Sequence, residues 1–242
     1  MANEYYRAYE ERYRAVQDVT DGFWGHAPEN SNLKCALEHW VEDNGLSGKM
    51  VIEFACGEGA GAILLTDAGC IYTGTDIAPT AIEKARRNTA GRENVSLMLA
   101  DMVKDTFGEG IYDGAADISG LHMLVTDPDR AAYLKNVYRA LRPGGHALFW
   151  QESYRSDAYE GIVNDISEWA KRTGLDFDTP ELRDIGGTGK QVWLKLLPAR
   201  PRTEEGYRSE MEKAGFIVDE FGVLADDGFM IGSAFIKVHK PI

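Results

Sequence analysis

The chain has 242 residues, of which 44% are hydrophobic and 27% charged, and a formal net charge of −13; such a composition suits one large globular domain and speaks against disorder. A strongly acidic chain repels phosphate backbones and anionic lipid at long range, so nucleic acid and membranes are expected to be poor partners. No apolar run approaches the roughly 18 to 20 residues that cross a bilayer, and MANEYYRAYEERYR at the start lacks the apolar stretch of a leader, which predicts a cytoplasmic location. Cys35, Cys56 and Cys70 show neither the paired spacing of a zinc site nor a disulfide framework. They read as small buried residues, and no metal is expected.

In chain order, Tyr5, Tyr9 and Tyr13 recur four apart, so a helix over 5–16 would carry three phenol rings on one face. The loop DGFWGHAPEN follows. Leu33, Ala36, Leu37, Trp40 and Val41 then recur at helical spacing and predict an amphipathic helix ending near Asn44 and Gly45. Beyond it strand and helix alternate: MVIEFA, CIYTGTD, VSLMLAD, GAADISGL and HALFWQE read as strands, while GAILLTDAG, PTAIEKARRN and a segment opened by Asp127 and Pro128 read as helices. In that last helix Leu134, Val137, Tyr138 and Leu141 face inward, and RPGG is read as a turn. Short apolar strands alternating with helices predict an α/β fold, a mostly parallel sheet covered on both faces. Residues 154–202 break the rhythm. Ile162, Val163, Ile166, Trp169 and Ala170 predict one more helix, stopped by Gly174, and an irregular stretch follows. A final helix, with Tyr207, Met211 and Ala214 inward and Gly215 beyond its end, leads into FIVDEFGVL and SAFIKVHK, joined by DDGFMIG. That connection is too short for a crossover, so the two strands should pair antiparallel. The expected organisation is a helical cap (1–45), a Rossmann-like core (46–153), an insertion lying over the site as a lid (154–202) and a C-terminal helix and hairpin completing the core (203–242).

VIEFACGEGAGAI, residues 51–63, has the form of a buried strand entering a tight glycine loop and a helix. Gly57, Gly59 and Ala62 also fit the G-x-G-x-x-G/A spacing of dinucleotide sites, where a helix N-terminus holds a pyrophosphate. Glu53 at the strand end and Glu58 in the loop would repel that anion and suit a ligand carrying positive charge.

Taken together, these motifs resemble the class I S-adenosylmethionine-dependent methyltransferases, whose fold is a seven-stranded, mostly parallel Rossmann-like sheet with an antiparallel C-terminal hairpin. EFACGEGAG (53–61) resembles motif I, in which Glu53 ends the first strand and Ala55, Cys56, Gly57 and Gly59 form the cofactor loop. TGTDI places Asp76 where the family binds both ribose hydroxyls, with Ile77 against the adenine. LADM places Asp101 where the adenine amino group is accepted, with Met102 beside the ring. IYDGAADISGLHML resembles motif IV, with Ser119 at the strand end, and ALRPGGHALF resembles the turn and strand after it. The resemblance covers residues 50 to 153 and the C-terminal hairpin, and is silent on the insertion. It implies S-adenosylmethionine as cofactor, S-adenosylhomocysteine as product, and methyl transfer to an N or O atom of a small molecule. Cys56 departs from the commoner small or apolar residue, and Glu58 occupies a position the family varies.

Methyl transfer from a sulfonium needs alignment and exclusion of water, and a base only when the nucleophile arrives protonated. His122, three residues beyond Ser119, is the candidate base, with Glu152 and Tyr154 behind it. Acceptor recognition is expected from Tyr9, Tyr13, Phe23, Trp24, His26, Glu152, Tyr154, Trp169, Phe177 and Trp193, rings that suit a flat or cationic small molecule. A monomer or homodimer is expected. The competing readings are a non-catalytic S-adenosylmethionine-binding module, a thiol or metalloid methyltransferase suggested by Cys56, and an NAD-dependent oxidoreductase.

Overall fold

A computed structural model describes residues 5–17, 22–184, 189–225 and 232–242. A 3-10 turn (Tyr5–Arg7) runs into α1 (Ala8–Gln17), and α2 (Ser31–Asp43) follows the loop between them. Asn30 starts α2 by accepting the amides of Asn32 and Leu33 at 3.0 and 3.2 Å, which satisfies two of the donors that a helix start leaves open. The core then alternates: β1 (Met50–Phe54), α3 (Ala60–Asp67), β2 (Ile71–Asp76), α4 (Pro79–Asn88), β3 (Val95–Leu99), β4 (Tyr112–Ile118), α5 (Asp127–Ala140) and β5 (Leu141–Ser153). The insertion holds α6 (Ile166–Thr173), β6 (Glu181–Asp184) and β7 (Gln191–Leu194); α7 (Glu204–Ala214), β8 (Ile217–Leu224) and β9 (Ser233–His239) close the chain.

Seven strands form one sheet in the order β3-β2-β1-β4-β5-β9-β8. The first five run parallel, β9 runs antiparallel to β5, and β8 pairs antiparallel with β9. Most of the connection joining these last two strands, residues 226–231, lies outside the described residues. Alternation along the strands feeds two cores. Ile52, Phe54, Ala147 and Phe149 pack with Tyr133, Leu134 and Val137 of α5 and with Tyr207 and Met211 of α7. Val51, Leu148 and Trp150 pack on the opposite face with Leu33, Leu37 and Trp40 of α2 and Leu64 and Leu65 of α3. This is the seven-stranded Rossmann-like arrangement expected. Its consecutive strands part company between β1 and β4, the switch point where open α/β sheets take ligands at their carboxyl ends.

Three local expectations are corrected. RPGG is no free turn: Leu141 pairs with Tyr112, the register shifts, and His146 pairs with Gly114, so 141–145 is the bulged start of β5, bent at Gly144 (φ 72°). The helix foreseen from Ile162 starts at Ile166, because Asp165 caps it at Ser167 N (2.7 Å). Val163 is held outside the helix by a two-way bond with Asp127, whose carboxylate accepts the Val163 amide (2.7 Å) while its own amide donates to the Val163 carbonyl (2.8 Å). The irregular stretch contains a two-stranded ribbon in which Leu182 faces Trp193. The insertion packs on its surroundings: Leu194 meets Val16 of α1, and Ile166 and Trp169 meet Val125.

Candidate functional site

The ends of β1, β2, β3 and β4 meet beneath α1 and the loop at 22–30. Two adjoining chambers open there and share Tyr13, Ala55 and Met123 as their common wall. Three non-glycine residues have positive φ among those described, Ala55 (53°), Ser119 (62°) and Gln151 (58°), and they stand at the carboxyl ends of β1 and β4 and near that of β5. Strained backbone of this kind clusters at functional sites, and nothing in the sequence pattern signalled it.

The first chamber is lined by Tyr6, Tyr9, Tyr13, Thr75, Asp76, Ile77, Asp101 and Met102, among others. Asp76 accepts the amides of Gly57 (2.8 Å) and Ala78 (2.9 Å), which ties the end of β2 to the glycine loop. Burial nonetheless pushes its carboxyl up to about 6. Asp101 accepts from the Val103 amide (3.0 Å) and from Arg7 (3.1 Å), with the Tyr6 hydroxyl at 3.4 Å; burial raises its pKa. Gly57 turns at φ 52°, and a Cβ there would stand 2.8 Å from the Tyr13 hydroxyl, so α1 lies directly on the loop. Glu53 is buried under the first turn of α3, accepts the Tyr72 hydroxyl, and is pushed by burial up to about 8. At neutral pH it is mostly protonated.

The second chamber, about 180 Å³, is lined by Trp24, His26, Leu33, Glu53, Cys56, Glu58, Ile118, Ser119 and His122 among others. His122 sits in a 3-10 turn, Leu121–Met123, and is buried. Its ring Nδ1 lies 2.9 Å from Glu152 Oε2, which also accepts the His122 amide at 2.7 Å. A carboxylate on Nδ1 selects the tautomer with its proton there and leaves Nε2 as the acceptor. Burial lowers the imidazole to about 4 and raises Glu152 to about 7. Behind them Asp117 accepts the Tyr133 hydroxyl (2.5 Å) and the Gly120 amide (2.6 Å), and its pKa is raised well above normal, first by burial and then by Glu152. Opposite His122, His26 Nε2 lies 3.1 Å from Ser119 Oγ, and its ring meets Trp150 edge-on at 5.5 Å.

The structure thus gathers Glu53, Ala55, Cys56, Gly57, Asp76, Ile77, Asp101, Met102, Ser119, His122, Tyr9, Tyr13, Trp24 and His26 around the two chambers. Gly59 caps α3 in the left-handed conformation (φ 87°), with Ala85 and Thr89 against the place of its missing side chain. Three expected acceptor contacts are placed elsewhere. Glu152 is fully buried behind His122, Tyr154 packs on Phe221 of β8 at 5.7 Å, and Trp169 packs with Val125, Val163 and Ile166, fastening the insertion down. Trp193 is 70% exposed. The charge argument against a pyrophosphate also changes. Glu58 forms a buried ion pair with Lys84 at 2.6 Å, and Glu53 is mostly uncharged, so neither repels as a free carboxylate would. What stands against an anion is that no lysine or arginine lines either chamber among the described residues. Among those residues there is also no group of three or more potential metal ligands, and Cys35 is exposed on α2.

Residues 51–145 match the family model described as a methyltransferase domain. This stretch of the chain belongs to the methyltransferase domain family. The methyltransferase domain supplies the glycine loop, Asp76, Asp101, Ser119 and His122; Trp24, His26 and Glu152 lie outside the matched residues. The chain is similar to the phthiotriol/phenolphthiotriol dimycocerosates methyltransferase of Mycobacterium leprae, 35% identical over 180 residues, 72% of this chain and 56% of the relative. It is also similar to the fatty-acid O-methyltransferase of Mycolicibacterium smegmatis, 34% identical over 130 residues, 52% of this chain and 42% of the relative. The chain spans about half the length of these relatives. In fold it is similar to the 1,6-didemethyltoxoflavin-N1-methyltransferase of Burkholderia thailandensis, at TM-score 0.65 and 16% identity, over 98% of this chain and 88% of that one.

Proposed function

We propose that the protein is an S-adenosylmethionine-dependent methyltransferase that moves a methyl group to an oxygen or nitrogen of a small-molecule acceptor. The observation that carries this reading is the pairing of the two chambers: buried carboxyls and tyrosines around the first, the glycine loop and two histidines around the second, Ala55 shared between them, and no lysine or arginine among the described residues lining either. The residues present fit the cofactor. Gly57 and Gly59 let the loop turn tightly at positive φ, Asp76 and Asp101 offer acceptors at the ends of β2 and β3, and Ile77 and Met102 offer apolar walls to a flat ring. When bound, the cofactor supplies an electrophilic methyl group. Asp76 would hold the ribose hydroxyls, Asp101 the adenine amino group, and the loop from Ala55 to Gly59 the amino-acid end.

The remaining chemistry belongs to the second chamber. His122, neutral because it is buried, presents an acceptor nitrogen, and Glu152 stabilises the imidazolium formed as the acceptor's proton is taken up. Trp24, Leu33 and Ile118 exclude water and offer apolar walls to a small, flat acceptor, and a cavity of about 180 Å³ has room for about one aromatic ring. The relative and the fold neighbour named for O- and N1-methylation have oxygen and nitrogen acceptors, so both atoms stay within the proposal. The insertion is assigned the role of lid. A location in the cytoplasm fits a chain in which no described helix is long and apolar enough to cross a membrane.

The test is thermal stabilisation with S-adenosylmethionine, S-adenosylhomocysteine and NAD in parallel, followed by acceptor turnover. Saturation at a hundred times the dissociation constant adds about 2.7 kcal/mol. Both adenosyl ligands are expected to stabilise the chain and Asp76→Ala to remove the effect; stabilisation by NAD alone would overturn the proposal, and binding without turnover on any acceptor would favour a non-catalytic module.

A further inference from the structure

The turn that carries His122 is held by parts of the chain that contribute nothing to the main sheet. From the N-terminal cap, the Tyr5 hydroxyl accepts the Val125 amide at 2.8 Å, with the Thr126 amide at 3.4 Å, and donates to Asp129 at 3.1 Å. From the far end of the insertion comes Arg200, whose side chain is fully buried. Its backbone amide donates to the His122 carbonyl (2.8 Å), Nη1 donates to the Val125 carbonyl and to Asp127 (both 2.9 Å), and Nη2 donates to the Gly161 carbonyl (2.8 Å). Arg130 of α5 takes the Leu121 and Leu124 carbonyls at 2.9 Å each. Of the five carbonyls from Leu121 to Val125, four therefore have a donor from a separate element.

A buried guanidinium is expensive to desolvate, and apolar replacements of buried ion pairs often cost no stability. The geometry of Arg200 is instead that of a clamp: its donors span two turns of backbone, at 122–125 and at Gly161, that no regular secondary structure joins. We propose that Arg200 and Tyr5 are positioning residues for His122, fixing its imidazole through the backbone of the turn, so that the insertion and the N-terminal cap both set the geometry of the reacting centre. The proposal rests on His122 acting as the base. It predicts that loosening either segment lowers turnover without weakening cofactor binding, since neither residue bonds the glycine loop or Asp76.

The experiment compares wild type with Arg200→Lys and Tyr5→Phe, reading cofactor binding by thermal shift, kcat and KM with an acceptor, and the ring nitrogens of His122 by NMR in the resting protein. A fall in kcat of about 10- to 100-fold is expected, with cofactor KM changed by less than about twofold. The ring nitrogens should move from one tautomer to a mixture. Unchanged kcat and unchanged ring signals would overturn the proposal. Should Arg200→Lys not fold, Tyr5→Phe, which deletes one hydroxyl, decides the matter. If His122→Ala keeps full turnover, the base assignment fails, while the resting-state ring signals still show whether Tyr5 and Arg200 order the turn.

Discussion

The two chambers are assembled in different ways. Around the first, Asp76 is held by the amides of Ala78 and Gly57, and Asp101 by the amide of Val103 together with Arg7 and Tyr6 of the cap. Around the second, His122 depends on Glu152, Arg130, Arg200 and Tyr5, partners up to 120 residues distant from the turn they hold. Bonds that are mostly local make a binding site less exposed to changes elsewhere. Distant bonds make a reacting centre that many parts of the molecule can disturb.

The contrast can be broken or sharpened by substitution. The largest effect is expected from His122→Ala, which should lower turnover about 100-fold or more while the protein still gains stability from S-adenosylmethionine; steady-state kinetics beside thermal melts would show it, and loss of binding together with turnover would mean the chambers are not separable. Next comes Gly61→Ala. The added Cβ would collide with the buried Glu53 carboxyl, and overpacking of this kind costs about 1–3 kcal/mol, so denaturant unfolding should show a clear loss and cofactor affinity should fall with it.

A smaller and more diagnostic effect is expected from Glu53→Gln. The Glu53 carboxyl ionises near 8 in the folded chain against 4.5 as the ordinary value. The folded state therefore keeps a proton that the unfolded state releases, and this contribution to stability is full below about pH 4.5 and is lost as pH rises through 8. Asp76 and Glu152, raised to about 6 and 7, act in the same direction at lower pH. His122, lowered to about 4, acts in the opposite one: its contribution is present above 6.5 and lost as pH falls through 4. Melts at pH 5 and pH 8 should differ less for Glu53→Gln than for wild type, and an unchanged difference would deny Glu53 this role. The smallest effect is expected from Trp193→Ser. That ring is 70% exposed on β7, so stability should move by no more than about 0.5 kcal/mol; a change in acceptor KM would bring the ribbon into recognition after all.

The same contrast explains what could be read from the sequence. The β1 to α4 region follows from alternation, glycine spacing and the acidic residues that end each strand, because those signals lie within each element and the loop that follows it. Histidine 122 was legible as a candidate by its place after Ser119. That Glu152 would stand behind it was not, since His122 lies in the turn after β4 and Glu152 near the end of β5, and only the pairing of those strands brings them together. Trp169 and Tyr154 misled for the same reason: aromatic residues in an insertion look alike whether they line a cavity or fasten a segment to the body, and only the contacts with Val125 and Phe221 decide. The start of α6 differs because Ile162 and Val163 keep helical spacing, while the bond to Asp127 holds Val163 outside the helix and Asp165 caps it later.

Ala55, Ser119 and Gln151 hold a left-handed backbone that glycine would adopt at lower cost. A laboratory selection for heat tolerance alone would find those three positions attractive, because relief of strain is an easy gain there. Variants enriched in that way would relax the rim on which both chambers depend, so selection for durability and selection for turnover should pull the same three codons in opposite directions.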